Sequence, residues 1–383
     1  MKHEKAIRTV DDAKDLIRGL TLMGTGGGGR PDVGIDYLLP HVREGKSIPL
    51  TSPEAIADEA WTCSVFGMGS IAPQETLTAA ERRSLGYGDW VVSKPMVEAV
   101  RELEAYTGIR VEAIVPFELG AVNTSAPIDT AFRLGLKVID GDYAGRAIPE
   151  LSQTTAALRG HVFEPGAICD PWGNVLIMKK SASLRVAERI GKMISIATKL
   201  PDMKAPCAHA GFLIKGREMK QLVVPGGVSR SLDTGRKIRE AVETGKDPAR
   251  AAAEAIDGWV LFRGRVTRKE WESREGYMFG MTTVEGLGPD QGHTFKIWLK
   301  NENHVTWLDE RPFVTSPDII SVIDAKSGEP YTNTALEEGR EVAVVGARAD
   351  EKYRGPDGIS LLGPRYFGFD LDYIPMEKQV REK

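Results

Sequence analysis

Three carboxylates that follow two short apolar runs are the residues of this sequence best suited to chemistry. Glu118 follows residues 111–116 (VEAIVP), while Asp140 and Asp142 follow residues 136–139 (LKVI). Both runs are typical of buried strands. Because ligands of open α/β sheets bind beyond the carboxyl ends of the strands, acids at these positions can face a substrate. A carboxylate whose pKa is raised by burial and by neighbouring acids is suited to general-base catalysis.

The two aspartates differ in the loop that would present them. Asp140 and Asp142 are two residues apart, so in an extended segment their side chains point to opposite faces. Gly141 and Gly145 free the backbone around Asp142, which makes Asp142 the favoured catalytic residue of the pair. Glu118 is the second candidate. Two carboxylates at one site push their pKa values apart, so that one can donate a proton while the other accepts.

A glycine-rich loop follows an amphipathic helical pattern over residues 10–20. Residues 24–29 (GTGGGG) formally contain a G-x-G-x-x-G motif. A dinucleotide site needs a strand before this motif, whereas a helix precedes it here, and the Lys-Ser/Thr ending of a Walker loop is absent. The loop is interpreted either as a turn or as a segment whose N–H groups approach a bound anion or ring, and no nucleotide is expected.

The histidines and cysteines bear on metal binding and covalent catalysis. The histidines show no H-x-x-x-H spacing, and the closest pair of soft ligands is Cys207 and His209, in a predicted loop. A divalent metal is possible but not favoured. Cys63 and Cys207 are alternative nucleophiles for a covalent route. Cys63 lies in an apolar strand, which is typical of an inert core thiol, and Cys207 is expected to be more accessible.

Composition limits the class of protein. The chain has 383 residues, a net charge of −4 and no apolar run near the roughly 20 residues that cross a bilayer. We therefore expect neither nucleic acid nor membrane as a partner. Three scattered cysteines and a charged, amphipathic N-terminus predict a cytoplasmic protein. A homo-oligomer, most simply a homodimer, is the expectation for an enzyme of this size.

The order of predicted elements indicates two domains. Strands and helices alternate to residue 165, which predicts an α/β domain over residues 1–165. Strands dominate from Trp259 onward, so residues 166–383 are predicted to form a mixed domain built mainly on a β-barrel. The helices are predicted at residues 73–85, 95–107, 128–134, 150–157, 182–199, 232–244 and 247–255.

Several segments together resemble one family, the S-methyl-thiohydantoin desulfurase family. The matching segments are residues 24–29 (GTGGGG), 67–69 (GMG) with Pro73, 118–123 (ELGAVN), 140–150 (DGDYAGRAIPE), 225–227 (PGG), 301–303 (NEN), 317–320 (PDII), 327–330 (SGEP) and 363–368 (GPRYFG). They occur in the family's order over nearly the whole chain. Ala121, where the family favours glycine, and Met68 depart from the pattern.

The resemblance implies both a fold and a reaction. The fold is an N-terminal three-layer α/β/α domain followed by a C-terminal β-barrel-like domain. The reaction replaces a methylthio group on a five-membered cyclic ureide by oxygen from water, which gives a hydantoin and methanethiol. A cyclic ureide or thioureide is therefore the expected small-molecule partner. The alternative is a non-catalytic subunit that binds such ligands or supports a hydantoinase/oxoprolinase-type system.

Roles for the remaining candidates follow from such a ring. The catalytic candidates are Glu118, Asp140, Asp142 and Glu150, and the substrate-binding candidates are Gly26, Gly27, Gly28, Gly69, Asn123 and Arg146. Asn123 can bond to an amide edge, and Arg146 either holds a carboxylate tail of the substrate or clamps the acids. Glu150, after Pro149, either acts in catalysis or stabilises a helix N-terminus. Residues 301–303 are a candidate for reaching a partner subunit's site.

Overall fold

Two β-sheets and the helices around them organise the molecule. The structure is a computed structural model and describes residues 5–72, 77–87, 92–198 and 207–380. The predicted combination of a layered α/β region with a C-terminal barrel-like region is confirmed.

The N-terminal sheet has six strands. Its central strand pairs in parallel with one neighbour and antiparallel with the other. In spatial order the strands are Lys137–Val138, Val111–Ile114, Trp61–Met68, Cys207–Lys215, Gly166–Cys169 and Val175–Met178. Three of them follow residue 165, so this sheet continues past the position where the sequence places a domain boundary.

Helices cover both faces of this sheet and produce three layers. Side chains alternate between the faces along the central strand. Cys63 and Val65 therefore join one buried cluster, while Phe66 and Met68 join another. The helices that contact the first face are Pro95–Thr107 and Ala121–Leu134, and those that contact the second are Leu184–Thr198 and Gly216–Leu222.

The C-terminal sheet is antiparallel and curls into a half-barrel. Its seven strands, in spatial order, are Arg311–Thr315, Glu302–Leu308, Thr294–Lys300, Tyr277–Gly286, Trp259–Arg274, Glu341–Ala347 and Ile319–Asp324. Its inner face holds a separate buried cluster that includes Phe262, Phe295 and Val344. Two short antiparallel pairs lie outside both sheets: Ala6–Ile7 with Ile48–Pro49, and Gly141–Asp142 with Val224–Pro225.

The helices begin and end at residues with clear local signals. Pro95–Thr107, confirmed at both ends, starts with proline and stops at Gly108, whose φ of 69° lies in the left-handed region that favours glycine. The other α-helices are Val10–Met23, Pro31–Arg43, Ala79–Ser84, Thr155–Leu158, Gly227–Glu243, Pro248–Ala255, Glu351–Arg354, Pro356–Leu362 and Met376–Gln379. Within the described ranges, no helix has the length and apolar content that a bilayer crossing requires.

The structure corrects several predicted elements. The segment Cys207–Lys215 was predicted to start as a loop but is a central strand of the sheet. Its small residues fit beneath the packed helices. The prediction failed because these residues do not show the alternation of apolar and polar side chains that is typical of a strand. The single helix predicted over residues 150–157 is replaced by a 3₁₀ turn, Leu151–Gln153, and a one-turn α-helix, Thr155–Leu158. The helix predicted to begin at residue 128 begins at Ala121. Part of the helix predicted over residues 73–85, and Pro73 itself, lie outside the described residues.

Candidate active site

A cavity of about 170 Å³ lies beside the central strand of the N-terminal sheet. The end of that strand, the start of helix Ala121–Leu134 and the loop of residues 148–151 form part of its wall. Helix Leu184–Thr198 closes another side, and the turn before strand Glu302–Leu308 reaches it from the half-barrel. Both sheets therefore contribute side chains to one cavity.

Glu118 lines this cavity as a buried, hydrogen-bonded carboxylate. Its Oε1 accepts a hydrogen bond from Asn123 Nδ2 at 2.7 Å, and its Oε2 accepts one from the backbone N–H of Ile148 at 2.7 Å. Burial raises the pKa of Glu118 to about 7, although both hydrogen bonds and the nearby Lys192 favour the charged form. Glu118 therefore changes its charge near neutral pH.

Glu302 supplies a second buried carboxylate from the half-barrel. Its side chain is buried, and its Oε2 has no hydrogen-bond partner among the residues that the structure describes. Burial raises the pKa of Glu302 well above its ordinary value, and the charge of Glu118 raises it further. Two carboxylates that interact in this way have their pKa values pushed apart, so that one can keep its proton at a pH at which the other is ionised.

Backbone conformation brings Glu302 to the cavity. Asn301 has a φ of 57°, in the left-handed region that asparagine tolerates better than most residues, and it turns the chain just before Glu302. A Cβ atom at Gly27 would lie 1.9 Å from Glu302 Oε1. The glycine-rich loop thus makes room for a protein carboxylate. Asn301 and Glu302, from the turn that the sequence offered as a candidate for reaching a partner subunit, line the cavity of their own chain.

Lys192 places a positive charge beside the two acids. Its Nζ donates a hydrogen bond to the Gly69 carbonyl at 2.9 Å and lies 3.6 Å from Glu188 Oε1. The same Nζ lies 4.3 Å from the centre of the Tyr277 ring, within range of a cation–π contact. Its charge lowers the pKa values of both Glu118 and Glu302 and so limits how far burial raises them.

Asn123 connects Glu118 to the central strand. Its Oδ1 accepts a hydrogen bond from the Gly67 N–H at 3.0 Å, while its Nδ2 donates to Glu118. These two bonds fix the orientation of the amide. An amide nitrogen carries two hydrogens, so one remains after the bond to Glu118.

Asp142, the favoured catalytic residue of the sequence prediction, is not among the residues that line the cavity. Its Oδ1 accepts hydrogen bonds from the N–H groups of Ala144 and Gly145, and its Oδ2 has no partner within the described part of the chain. Burial raises its pKa to about 8. A Cβ atom at Gly227 would lie 2.8 Å from its Oδ2, so the side chain packs against helix Gly227–Glu243.

Asp140 also faces that helix. Its two oxygens accept hydrogen bonds from the backbone N–H and the hydroxyl of Ser229, at 2.8 and 2.7 Å. Ser229 lies in the first turn of helix Gly227–Glu243, where a negative charge stabilises the exposed N–H groups. The pairing of Gly141–Asp142 with Val224–Pro225 turns both aspartates towards this helix.

Arg146 is a buried clamp between the two sheets. Its guanidinium donates five hydrogen bonds, to the carbonyls of Ala147, Pro317, Asp318 and Asn303 and to the Thr25 hydroxyl. Guanidinium has five N–H donors, so none is left for a carboxylate tail of a substrate. Arg146 was predicted either to hold a carboxylate tail of the substrate or to clamp the acids. No N–H group is left for the first role. For the second role, its hydrogen-bond partners are carbonyls and a hydroxyl and not the acids.

Glu150 and the glycines divide between the cavity and the surrounding protein. Glu150 lines the cavity and accepts hydrogen bonds from Lys300 Nζ and, at 2.5 Å, from the Tyr366 hydroxyl. The helix whose N-terminus it was predicted to stabilise is only a short 3₁₀ turn. Of the predicted glycines, Gly28 and Gly69 line the cavity, whereas Gly26 and Gly27 border a neighbouring cavity of about 20 Å³.

Cys207 and His209, the closest pair of soft ligands in the sequence, lie two residues apart on one strand. Among the described residues, no group of three or more His, Cys, Asp and Glu side chains is arranged to hold a metal ion. His209 stacks on Phe66, and burial lowers its pKa to about 4. Cys207 lines the cavity, where burial raises the pKa of its thiol, while Cys63 lies in the core on the other face of the sheet.

Comparison with known proteins shows which family has this architecture. The S-Me-THD-like N-terminal domain matches residues 11–180, and the S-Me-THD-like C-terminal domain matches residues 182–376. The chain belongs to the S-Me-THD-like family. The resemblance to the S-methyl-thiohydantoin desulfurase family is thereby confirmed, and the family name implies an enzyme with thiohydantoin-related chemistry.

A solved structure shares the fold of this S-Me-THD-like chain. It is the crystal structure of a protein from Chromobacterium violaceum, with 22% sequence identity and a TM-score of 0.74. The similarity covers 97% of this chain and 99% of that protein. No curated protein matches the sequence.

Sequence reasoning missed two charged cavity residues of this S-Me-THD-like chain, Glu188 and Lys192, and it considered Glu302 only within a turn that could reach a partner subunit's site. Glu188 and Lys192 are four residues apart on one helix, and both are buried, whereas Ile190 and Met193 on the same helix are 41% and 42% exposed. Apolar periodicity predicts the reverse orientation. The one sequence feature that could have indicated these residues is a Glu and a Lys four positions apart. This spacing is also common on solvent-exposed helices, so it does not identify a site.

Proposed function

We propose that this chain replaces the methylthio group of an S-methyl thiohydantoin by oxygen from water and releases a hydantoin and methanethiol. The observation that carries the proposal is the pair of buried carboxylates, Glu118 and Glu302, which share one cavity with Lys192. Such a pair supplies a base and an acid at the same pH. Family membership supports the choice of ring.

The ring binds between the amide of Asn123 and the two carboxylates. The remaining amide hydrogen of Asn123 donates to a ring carbonyl, and Glu118 stays within reach of a water molecule beside the reacting carbon. A cavity of about 170 Å³ suits a small ring of this kind. Binding in this orientation aligns water and ring before the reaction begins.

In the first step, the water oxygen forms a bond to the carbon that carries the methylthio group, and Glu118 takes one proton from the water. The π electrons of the carbon–nitrogen double bond move to the ring nitrogen, which receives the proton of Glu302. Lys192 stabilises the negative charge that these proton transfers leave near the carboxylates.

In the second step, the carbon–oxygen double bond forms and the carbon–sulfur bond breaks with its electron pair on sulfur. Glu118 returns its proton to the departing methanethiolate, and the remaining hydroxyl proton passes to Glu302. Both carboxyl groups regain their starting protonation states. The products are the hydantoin and methanethiol, so all atoms of ring and water are accounted for.

Release of thiol from S-methyl thiohydantoin, followed with a thiol reagent, tests the proposal. The protein is expected to release one methanethiol for each hydantoin formed, and Glu302→Gln is expected to lower kcat by roughly 100-fold because glutamine cannot donate that proton. Glu254→Gln, at an exposed position, is the matched control. Ligand-induced stabilisation without thiol release would instead identify a non-catalytic ligand-binding subunit.

A further inference from the structure

Tyr277 of the half-barrel contacts both Lys192 and the acid that pairs with Lys192. Its ring centre lies 4.3 Å from Lys192 Nζ, and its hydroxyl donates a hydrogen bond to Glu188 Oε1 at 3.3 Å. Lys192 Nζ lies 3.6 Å from the same Oε1. One aromatic side chain therefore touches both members of a buried ion pair, and it reaches them from the other sheet.

The hairpin turn before Tyr277 packs against the stem of Lys192. Gly276 has a φ of 80°, in the left-handed region that favours glycine. A Cβ atom at Gly276 would lie 3.0 Å from Lys192 Cδ and 3.2 Å from Lys192 Cβ. The turn thus restricts the stem of the lysine, while the ring of Tyr277 contacts its ammonium group.

A second cation approaches the same ring. Lys300 Nζ lies 4.3 Å from the centre of the Tyr277 ring and donates a hydrogen bond to Glu150 Oε1. Each of the two ammonium groups therefore has an acid of its own, and the aromatic ring attracts both. Glu150 and Glu188, the two acids, both line the cavity, so Tyr277 lies where two ion pairs of the cavity wall meet.

The position of the Lys192 charge determines how strongly it acts on the catalytic carboxylates. Lys192 lowers the pKa values of Glu118 and Glu302, and such an effect weakens with distance. Lysine has a flexible four-carbon stem, so its ammonium group stays in one place only where contacts hold it. Further charged or titratable neighbours of Lys192 are Glu188 on its own helix, His209 on strand Cys207–Lys215, and Tyr277.

We propose that Tyr277 is a positioning residue, which holds the ammonium group of Lys192 beside Glu118 and Glu302 through its ring and through its hydrogen bond to Glu188. Tyr277 is not among the residues that line the cavity, so it acts through Lys192 and not on the reacting atoms. This inference rests on the proposed function of the cavity.

Two substitutions of Tyr277 separate the ring from the hydroxyl. Tyr277→Leu removes both and is expected to lower kcat for thiol release by about tenfold, whereas Tyr277→Phe keeps the ring and is expected to stay within about threefold of the wild type. Trp271→Leu, at a 46% exposed position of the same hairpin, is the matched control and is expected to preserve kcat. Equal losses in both Tyr277 variants, or an unchanged kcat in Tyr277→Leu, would overturn the inference.

A double-mutant cycle tests whether Tyr277 acts through Lys192. In a protein that already carries Lys192→Met, Tyr277→Leu is expected to lower kcat by less than about twofold further. Losses that multiply would show that the two residues act independently, which would overturn the inference. If Tyr277→Leu fails to fold, Tyr277→Met, which also lacks an aromatic ring, takes its place in the same comparisons.

The pH profile gives a readout that loss of packing alone would not move. Tyr277→Leu is expected to shift the acidic limb of kcat/KM to higher pH, because a displaced Lys192 no longer lowers the pKa of Glu118. Glu188→Gln is expected to shift it to lower pH, since the charge of Glu188 raises that pKa. Shifts of the same sign would overturn the inference. Both variants leave in place the other ionisable groups that interact with Glu118, which are Glu302, Arg146 and Asp142.

A measurement without turnover separates this inference from the proposed function. If the wild type releases no thiol, the proposed reaction fails. The infrared difference between each protein and its Glu118→Gln counterpart then reports the pH at which Glu118 loses its proton. A higher pH in Tyr277→Leu than in the wild type would support the positioning role of Tyr277, and the same pH in both would overturn it.

Discussion

Glu118 and Asp142 are two buried carboxylates of one chain with different neighbours. Burial raises the pKa of Glu118 to about 7 and that of Asp142 to about 8. Glu118 lines a cavity that it shares with Glu302, whereas Asp142 accepts hydrogen bonds from its own loop and packs against Gly227. A raised pKa therefore marks burial in both regions. The two carboxylates differ in access to a ligand: Glu118 faces the cavity and can take part in acid–base chemistry, whereas Asp142 does not face it.

The largest expected effect compares the two carboxylates directly. Glu118→Gln is expected to lower kcat for thiol release by about 1,000-fold, because glutamine cannot take a proton from water. Asp142→Asn is expected to leave kcat within roughly threefold of the wild-type value, since Oδ1 keeps both hydrogen bonds and the acid does not reach the cavity. Steady-state kinetics of the two purified variants check this. A larger loss for Asp142→Asn would reverse the assignment.

A second pair of variants moves each carboxylate by adding a methyl group at a glycine that contacts it. A Cβ atom at Gly27 would meet Glu302 Oε1 at 1.9 Å, and one at Gly227 would meet Asp142 Oδ2 at 2.8 Å. Gly27→Ala is expected to lower kcat/KM by about 100-fold because it moves an acid of the cavity. Gly227→Ala is the matched control and is expected to preserve activity. Equal losses in both variants would mean that the two regions act together.

The pH dependence of activity sharpens the comparison further. Glu118 must be ionised to accept a proton from water, so kcat/KM is expected to fall about tenfold for each pH unit below its pKa of about 7. The Asp142→Asn variant is expected to keep this inflection. Initial rates from pH 5 to 9, in buffers of constant ionic strength, check the result. An inflection near pH 8 that disappears in Asp142→Asn would contradict the assignment.

The last difference is expected in stability and not in activity. Because the pKa of Asp142 in the native state, about 8, exceeds its ordinary value of 3.8, the native state keeps a proton that the unfolded state releases. Its contribution to stability is complete below pH 3.8 and is lost as the pH rises towards 8. Asparagine does not titrate. The advantage of Asp142→Asn over the wild type in the free energy of unfolding should therefore grow by about 4 kcal/mol between pH 5 and pH 8.

Urea unfolding of the wild type and Asp142→Asn at both pH values measures this difference. Glu254→Gln, whose side chain is exposed, serves as the control and is expected to follow the wild type at both pH values. A constant gap between the wild type and Asp142→Asn would show that Asp142 does not bind the extra proton in the native state.

The sequence predicted the elements whose signals are local. Helix Pro95–Thr107 was predicted at both ends because proline and glycine mark its limits. Glu118 and Asn123 were predicted as site residues, and both line the cavity. Glu118 follows a strand and Asn123 lies at the start of the next helix, in a parallel strand–helix–strand unit whose strand ends are typical ligand sites. These signals depend on neighbours within a few residues of the chain.

Other site residues depend on contacts between distant segments. Asp140, Asp142 and Arg146 follow a strand end as Glu118 does, yet their hydrogen bonds go to nearby loop backbone, to helix Gly227–Glu243 and to the half-barrel. Glu302 reaches Glu118 from 184 positions further along the chain. No local pattern separates Glu118 from Asp140 and Asp142, because each is an acid close to a glycine after a strand. Glu302 lies between two asparagines and lacks even that signal.

Signals within short segments were enough to predict the family, the two-sheet architecture and Glu118 as a candidate acid, since turn residues, apolar periodicity and family motifs are local properties of a chain. Tertiary structure decided which acids share a cavity. Which acids meet depends on how the two sheets pack, because packing determines which side chains are buried around one cavity. The free energy of an ionised group in that cavity then depends on every segment that surrounds it.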